Sequence, residues 1–256
     1  HGVTTVTEPA PTRDHTERLL RGFGVQVETD GPRIRLQGRQ TLTGTRIDVP
    51  GDISSAAFFL VAGSIAGSGD FVIENVGVNP TRTGIIDILK LMGADIRVVP
   101  RAAQGGEPVA DLHVRRAELR GIAVPESLVP LAIDELPVLF IAAAAARGET
   151  VFTGAAELRV KESDRLAVMA DGLTRLGVVN QLAPDGIRIE GLADTGRRLG
   201  GREVDSHGDH RIAMSFTVAS LLADAPIRIR DTANVGTSFP GFVATARACG
   251  LQVVEK

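Results

Sequence analysis

Leu19-Leu20-Arg21-Gly22-Phe23-Gly24 reads as the last turn of a helix that stops at glycine. The same ending returns at Ile88-Leu89-Lys90-Leu91-Met92-Gly93, Leu173-Thr174-Arg175-Leu176-Gly177 and Ala246-Arg247-Ala248-Cys249-Gly250, each time followed by a strand-like run. Glycine takes a left-handed backbone without steric cost, so a helix that closes on it before a strand marks one structural joint. The joint recurs at intervals of roughly 70 to 85 residues, too long for a solenoid and suited to a repeated subdomain.

Ahead of the last three joints lies a helix rich in small apolar residues, covering Ser54 to Ala66, Asp134 to Ala146 and Asp209 to Leu222. A strand follows at Phe71 to Val76, Thr150 to Thr153 or Ile227 to Arg230, then the helix that ends at the joint, then one or two closing strands. The pattern predicts a βαβαββ unit in three complete copies, at about 51–118, 119–190 and 191–256, in an α/β (α+β) chain. Residues 1–49 supply only the tail of a fourth copy, a helix around Thr16 to Gly22 with strands near Val25 to Glu28 and Arg33 to Gln37. The chain is therefore expected to start in mid-domain. Val49-Pro50-Gly51-Asp52 is the expected hinge between 1–49 and 50–256, with Asp52 to Ser55 capping the next helix.

Composition excludes several classes of function. The 256 residues are 43% hydrophobic and 23% charged, as in an ordinary globular chain, with a net charge of -3 and neither Trp nor Tyr. That argues against a nucleic-acid footprint and for a small charged substrate. The longest apolar segments, such as Val138 to Ala146, are too short to span a bilayer, and no leader is evident at His1, so a cytoplasmic protein is expected. The single cysteine, Cys249, is expected to be a small buried side chain near a helix end.

The chemistry concentrates in Leu158-Arg159-Val160-Lys161-Glu162-Ser163-Asp164-Arg165-Leu166. If a helix begins here, about 100° per residue puts Leu166, Met169, Leu173 and Leu176 on one stripe, with Glu162 inside it and Arg165 beside it. Charges that continue a buried face need partners or a polar ligand, so the first turn reads as the wall of a site. Duller roles compete residue by residue: Asp134 as a helix cap, Glu162 as an i,i+3 partner of Arg165, Arg211 as a structural cation.

Six runs, in order, resemble the 5-enolpyruvylshikimate-3-phosphate synthase family: Thr12-Arg13-Asp14-His15-Thr16-Glu17, Pro50-Gly51-Asp52-Ile53-Ser54-Ser55, Asn79-Pro80-Thr81-Arg82-Thr83-Gly84, Ile133-Asp134-Glu135-Leu136-Pro137, Val160-Lys161-Glu162-Ser163-Asp164-Arg165 and Asp209-His210-Arg211-Ile212-Ala213-Met214-Ser215. The first and third are similar to the class II, glyphosate-tolerant branch. The resemblance implies two lobes, each of three βαβαββ units around a pseudo-threefold axis, with the active site between them. On that footing 1–49 is the remnant of the N-terminal lobe and 50–256 is the C-terminal lobe.

It also implies the reaction, in which phosphoenolpyruvate gives its enolpyruvyl group to the 5-hydroxyl of shikimate 3-phosphate and phosphate leaves through a tetrahedral intermediate. Asp134 would take the hydroxyl proton and Glu162 would donate to the methylene carbon. Lys161 would stabilise charge between the substrates, Arg165 and Arg211 would grip phosphoenolpyruvate, and Arg13 would bind the phosphate of shikimate 3-phosphate. No cofactor or metal is implied, although Asp205, His207, Asp209 and His210 have the side-chain types of a metal cluster. The roles of Arg82, Glu157 and Thr237 stay open. The family's Lys-Ser pair, Gly-rich Asn loop and Ser-Ser/Ala-Gln run are absent from this sequence, so the chain alone is expected to turn over negligibly, with the missing lobe as a complementing partner. Two other functions remain: a UDP-N-acetylglucosamine enolpyruvyl transferase, which would need a mobile-loop cysteine unlike Cys249, and a non-catalytic fragment that binds an anion or a complementary lobe.

Overall fold

All four glycine joints close their helices in one way. In the computed structural model, which describes residues 1–9, 12–66 and 69–255, Gly24, Gly93, Gly177 and Gly250 have φ of +83°, +94°, +92° and +94°. Each glycine N–H donates to the carbonyl three residues back, and the next N–H donates to the carbonyl five back: Val25 to Leu20, Ala94 to Leu89, Val178 to Leu173 and Leu251 to Ala246, at 2.9–3.0 Å. The paired bonds satisfy carbonyls that a helix end otherwise leaves open, and they turn the chain into the next segment.

An N-terminal module contains strand β1 (Val3–Thr7), helix α1 (His15–Gly22), and strands β2 (Val27–Asp30) and β3 (Arg33–Gln37). The next unit runs α2 (Ile53–Ile65), β4 (Phe71–Gly77), α3 (Gly84–Leu91), β5 (Asp95–Gln104) and β6 (Glu107–Arg115). Its successor runs through a 3₁₀ turn at Pro130–Glu135, then α4 (Leu136–Ala145), β7 (Glu149–Phe152), α5 (Arg165–Arg175), β8 (Asn180–Ala183) and β9 (Gly186–Glu190). The last unit holds β10 (Glu203–Asp205), α6 (His210–Ala219), β11 (Arg228–Arg230), α7 (Asn234–Ser238) and α8 (Phe242–Ala248). Three sheets share one order, β1-β3-β2, β4-β6-β5 and β7-β9-β8, with the final strand antiparallel between the other two.

Several expectations are corrected. β1 was not anticipated, because all five of its residues are exposed and no apolar alternation marks it. The leading strand of the unit is reduced to isolated parallel bridges, Gly51 to Val76 in one unit and Arg120 to Arg147 and Ala123 to Val151 in the next, and among the described residues only β10 with β11 makes a regular parallel pair. The closing strand expected after the last joint is not seen among the described residues: 251–255 form no strand, since a strand exists only where another strand takes its hydrogen bonds. Cys249 sits at the end of α8 as expected but is exposed rather than buried.

Helices α2, α4 and α6 pack on one another and form the core. α4 is buried on every side from Leu136 to Ala144, as a helix apolar all round must be, and its run of alanines permits close approach. α5 lies against α6 where Gly172 meets the Phe216 ring, and a Cβ at residue 172 would overlap that ring. The apolar cluster begins at Ile53, and the stretch 41–50 between it and the N-terminal module carries no helix or strand. No helix among the described residues is long and apolar enough to cross a membrane.

Candidate active site

The three core helices begin at the same end of the molecule, and their first residues build the site. Asp52 caps α2, accepting from the amides of Ser54 at 3.2 Å and Ser55 at 3.0 Å, as its sequence position predicted. Asp209 caps α6, accepting from the amide of Arg211 at 2.9 Å. α4 starts differently. Asp134 and Glu135 belong to the 3₁₀ turn ahead of it, Pro137 occupies its first turn, and neither carboxylate caps the helix. The expected helix from Asp134 is therefore corrected to start at Leu136, and the duller role of Asp134 as a cap falls away. Its carboxylate is left free at a pole where three helix N-termini favour negative charge.

Four cations take it up. Arg13 Nη2 lies 2.5 Å from Asp134 Oδ2, Arg165 Nη1 3.5 Å and Lys161 Nζ 3.8 Å from Oδ1, and Arg211 Nη2 3.8 Å from Oδ2. Arg211 also donates to the Asp134 carbonyl at 3.1 Å. Burial works against the charge on Asp134, yet Arg211, the hydrogen bond from Arg13 and the charges of Arg13 and Lys161 outweigh it and hold the carboxyl down at about 2.

The wall segment differs from its helical projection. Asp164 caps α5 by accepting from Ala167 N at 3.0 Å, and the helix begins at Arg165, so Glu162 lies before it and is 53% exposed instead of sitting in the apolar stripe. Arg165 is the residue that continues the buried face, only 1% exposed. Its guanidinium is held by Asp209 Oδ2 at 2.8 Å, Glu162 Oε2 at 2.5 Å and Asp134. Arg165 thus pairs with three carboxylates of the chain. Asp134 and Glu162 flank the same guanidinium, so the two carboxylates share one face.

A second row of residues orients the first. Asp209 is fully buried, and although burial raises the cost of its charge, the Arg165 bond, the Arg211 amide and Ser163 Oγ at 3.0 Å keep its carboxyl below the usual range. Glu135 is 3% exposed and accepts from Ser54 Oγ, with Arg211 Nη1 3.8 Å away. Burial pushes its carboxyl up against those two partners. Arg82 donates to Ser54 Oγ at 2.6 Å, which ties the start of α3 to this row. Lys161 is also paired with Glu157 at 2.5 Å, whereas Thr237 in α7 is exposed. Sequence reasoning assigned no role to Glu135, and its only signal was its place beside Asp134 in a quoted motif. Of the residues with metal-ligand types, Asp209 is occupied by Arg165 and Asp205 Oδ1 accepts from the amide of His207 at 2.8 Å. Among the described residues no group of His, Cys, Asp and Glu is placed to hold a metal ion.

Comparison with known proteins shows the family. The family model described as EPSP synthase (3-phosphoshikimate 1-carboxyvinyltransferase) matches residues 1–245. The chain is 64% identical over 254 residues to a 3-phosphoshikimate 1-carboxyvinyltransferase of Alkalilimnicola ehrlichii, covering 99% of this chain and 56% of that protein. It is 60% identical over 252 residues to the same-named protein of Methylococcus capsulatus, covering 98% and 56%. Among solved structures, EPSP synthase from Acinetobacter baumannii superposes with a TM-score of 0.94 at 56% identity, over 98% of this chain and 57% of that one. The enolpyruvyl transferase NikO from Streptomyces tendae shares the fold, with a TM-score of 0.73 at 19% identity. The chain spans a little over half the length of the curated relatives that it matches. With the family model covering nearly all of its residues, this chain belongs to the EPSP synthase family.

Proposed function

We propose that this chain carries the C-terminal lobe of a 3-phosphoshikimate 1-carboxyvinyltransferase, residues 50–256, together with a module of the N-terminal lobe, residues 1–49. The observation that carries this is the convergence of Arg13, Lys161, Arg165 and Arg211 on Asp134, with Glu162 on the other side of Arg165. Substrates with a phosphate and a carboxylate suit such a cluster, because each anion takes over cations that Asp134 holds in the free chain.

That exchange activates the base. As substrate anions neutralise Arg13, Lys161 and Arg211, the carboxyl of Asp134 rises from about 2 toward the range in which it accepts a proton. The 5-hydroxyl of shikimate 3-phosphate then loses its proton to Asp134 as its oxygen attacks the enol carbon of phosphoenolpyruvate, and Glu162 protonates the methylene carbon. The tetrahedral adduct then loses phosphate as Glu162, left a carboxylate by the first step, takes a methyl proton back, which gives the enol ether, with Lys161 stabilising the leaving oxygen. Arg165 holds Glu162 and Asp134 on either side of its guanidinium, which would position both for the two proton transfers. The cytoplasmic location expected from the sequence goes with this function.

Glu162 is half exposed, and the face it shares with Asp134 is the one that a second lobe would cover and dry. Phosphate release from phosphoenolpyruvate and shikimate 3-phosphate tests the proposal. The chain alone is expected to show negligible turnover, and mixing it with a separately produced N-terminal half is expected to restore it. Full turnover by the chain alone, or none with the halves joined, would remove it.

A further inference from the structure

Two of the motifs that carried the resemblance, Thr12 to Glu17 and Asn79 to Gly84, meet at Asn79. Asn79 is 2% exposed. Its side-chain oxygen accepts from the amide of Thr81 at 2.9 Å and from Thr81 Oγ1 at 2.8 Å, so the amide nitrogen is turned the other way. That nitrogen donates to Asp14 Oδ1 at 2.7 Å and to Glu107 Oε2 at 2.9 Å. His15 Nδ1 lies 2.7 Å from Glu107 Oε1. Arg18 pairs with Asp14 at 2.9 Å and donates to the Gly106 carbonyl at 3.3 Å, at the tip of the β5–β6 hairpin. Asp14, His15 and Arg18 come from the N-terminal module; Asn79, Gly106 and Glu107 come from the first unit of the lobe.

We propose that Asn79 and Asp14 form a latch that fixes the N-terminal module to the lobe and so positions Arg13 over Asp134. Arg13 is 46% exposed, so little packing places it; its backbone does, and the residue beside it is Asp14. Asp14 precedes α1 without a side-chain capping bond, which leaves its carboxylate for Asn79 and Arg18. Asparagine is the fitting partner because it brings two donors without a charge, whereas an aspartate there would face two carboxylates. The covalent link between module and lobe, 41–50, has no regular structure to hold the angle. The latch is a positioning device. Its value to the reaction rests on the role proposed for Arg13 above; its geometry does not.

Spin labels at Asp30→Cys and Gln181→Cys, in a Cys249→Ser background, test it by pulsed dipolar distance measurement on the chain as it stands; both sites are exposed. The unaltered latch is expected to give one narrow distance, and Asn79→Ala to spread it over about 17 Å, the reach of a free ten-residue tether. Asp14→Ala, which cuts the latch from its exposed side and leaves the lobe interior untouched, is expected to do the same. Arg13→Ala is expected to keep the distance narrow, since Arg13 is held and does not hold. In the same samples the Arg13 guanidinium resonance, ordered by Asp134, is expected to be lost in Asn79→Ala and Asp14→Ala. A narrow distance in both latch variants, or equal broadening by Arg13→Ala, would overturn the proposal. Failure of the proposed reaction would instead show as absent phosphate release with these distances unchanged.

Discussion

At one end of the α2, α4 and α6 core the helices begin, and Arg165 and Arg211 meet the carboxylates of Asp134, Glu162 and Asp209 there. At the other end the helices finish around a concavity of about 680 Å³ whose lining includes Arg116, Arg147, Arg197 and Arg198. There Arg197 donates to the Gly177 carbonyl at 3.0 Å, and Arg198 to the carbonyls of Leu221 at 3.0 Å and Ala223 at 3.2 Å. Both ends are rich in arginine, but at the far end Arg147 meets only the exposed carboxylates of Glu118 and Asp194, whereas the near end gathers carboxylates around the buried Asp209. Guanidiniums at helix C-termini complete the hydrogen bonding of the fold and offset the negative end of the helix dipole. Guanidiniums over buried carboxylates at helix N-termini store a charge arrangement that an anionic ligand can exchange into. An open basic cavity is therefore the poorer sign of a site here than one carboxylate ringed by cations.

The contrast is sharpest in activity. With the two halves joined, Asp134→Asn is expected to lower turnover about 10³-fold, the loss of a general base, while Arg198→Ala stays within about twofold in the same phosphate-release assay. Equal losses at the two ends would erase the distinction. Stability separates them next. Arg165→Met leaves the fully buried Asp209 without its cation and is expected to cost about 3 kcal/mol or more in urea denaturation at neutral pH. A cost under about 1 kcal/mol would mean that Asp209 is served by its amide and hydroxyl partners alone.

Acid reads the Asp134 cluster directly. Its carboxyl is held below its unfolded value of 3.8, at about 2, so its contribution is fully present above pH 4 and is lost as pH falls toward 2. The lowered carboxyl of Asp209 acts in the same direction. Asp134→Asn is expected to be about 2 kcal/mol less stable than the parent above pH 4, with the gap closing toward pH 2 in denaturant titrations. A gap that does not change with pH would point to packing instead of charge. The smallest effect belongs to the far end, where Arg198→Ala is expected to cost about 0.3 to 1 kcal/mol with no pH dependence between about 4 and 8.

The fold was legible where its signal is local. A glycine that must turn left-handed announces each joint from one position, and Gly24, Gly93, Gly177 and Gly250 all do so. Asp52 is likewise read as a cap from the few residues that follow it. What depends on distant partners was not legible. β1 has no apolar face to betray it, the leading strands shrink to bridges, and 251–255 lack a pairing edge. Cys249 turns outward at the end of a short helix where the small-residue habit suggested burial.

In the site, the residue types and the positions of Asp134, Lys161, Glu162 and Arg211 could be named from motifs, and Arg13 with them. Their couplings could not. A helical projection begun three residues too early put Glu162 in the core and let Arg165 stand at its edge, whereas the Asp164 cap reverses the two. The partners that hold the site, Glu135 on Ser54 and Asn79 on Asp14, join residues more than 60 positions apart, and no spacing rule reaches that far.

The most direct test of the cluster needs no ligand. Carbon-detected NMR of the Asp134 side-chain carboxyl, followed as the chain is acidified, should find it still ionised at about pH 3, where exposed aspartates are mostly protonated. In Arg211→Gln the same carboxyl should titrate at higher pH, since Arg211 is the strongest of the charges that hold it down. An Asp134 that titrates with the exposed aspartates near pH 4, and is indifferent to Arg211, would contradict the convergence of cations on which the proposed chemistry stands.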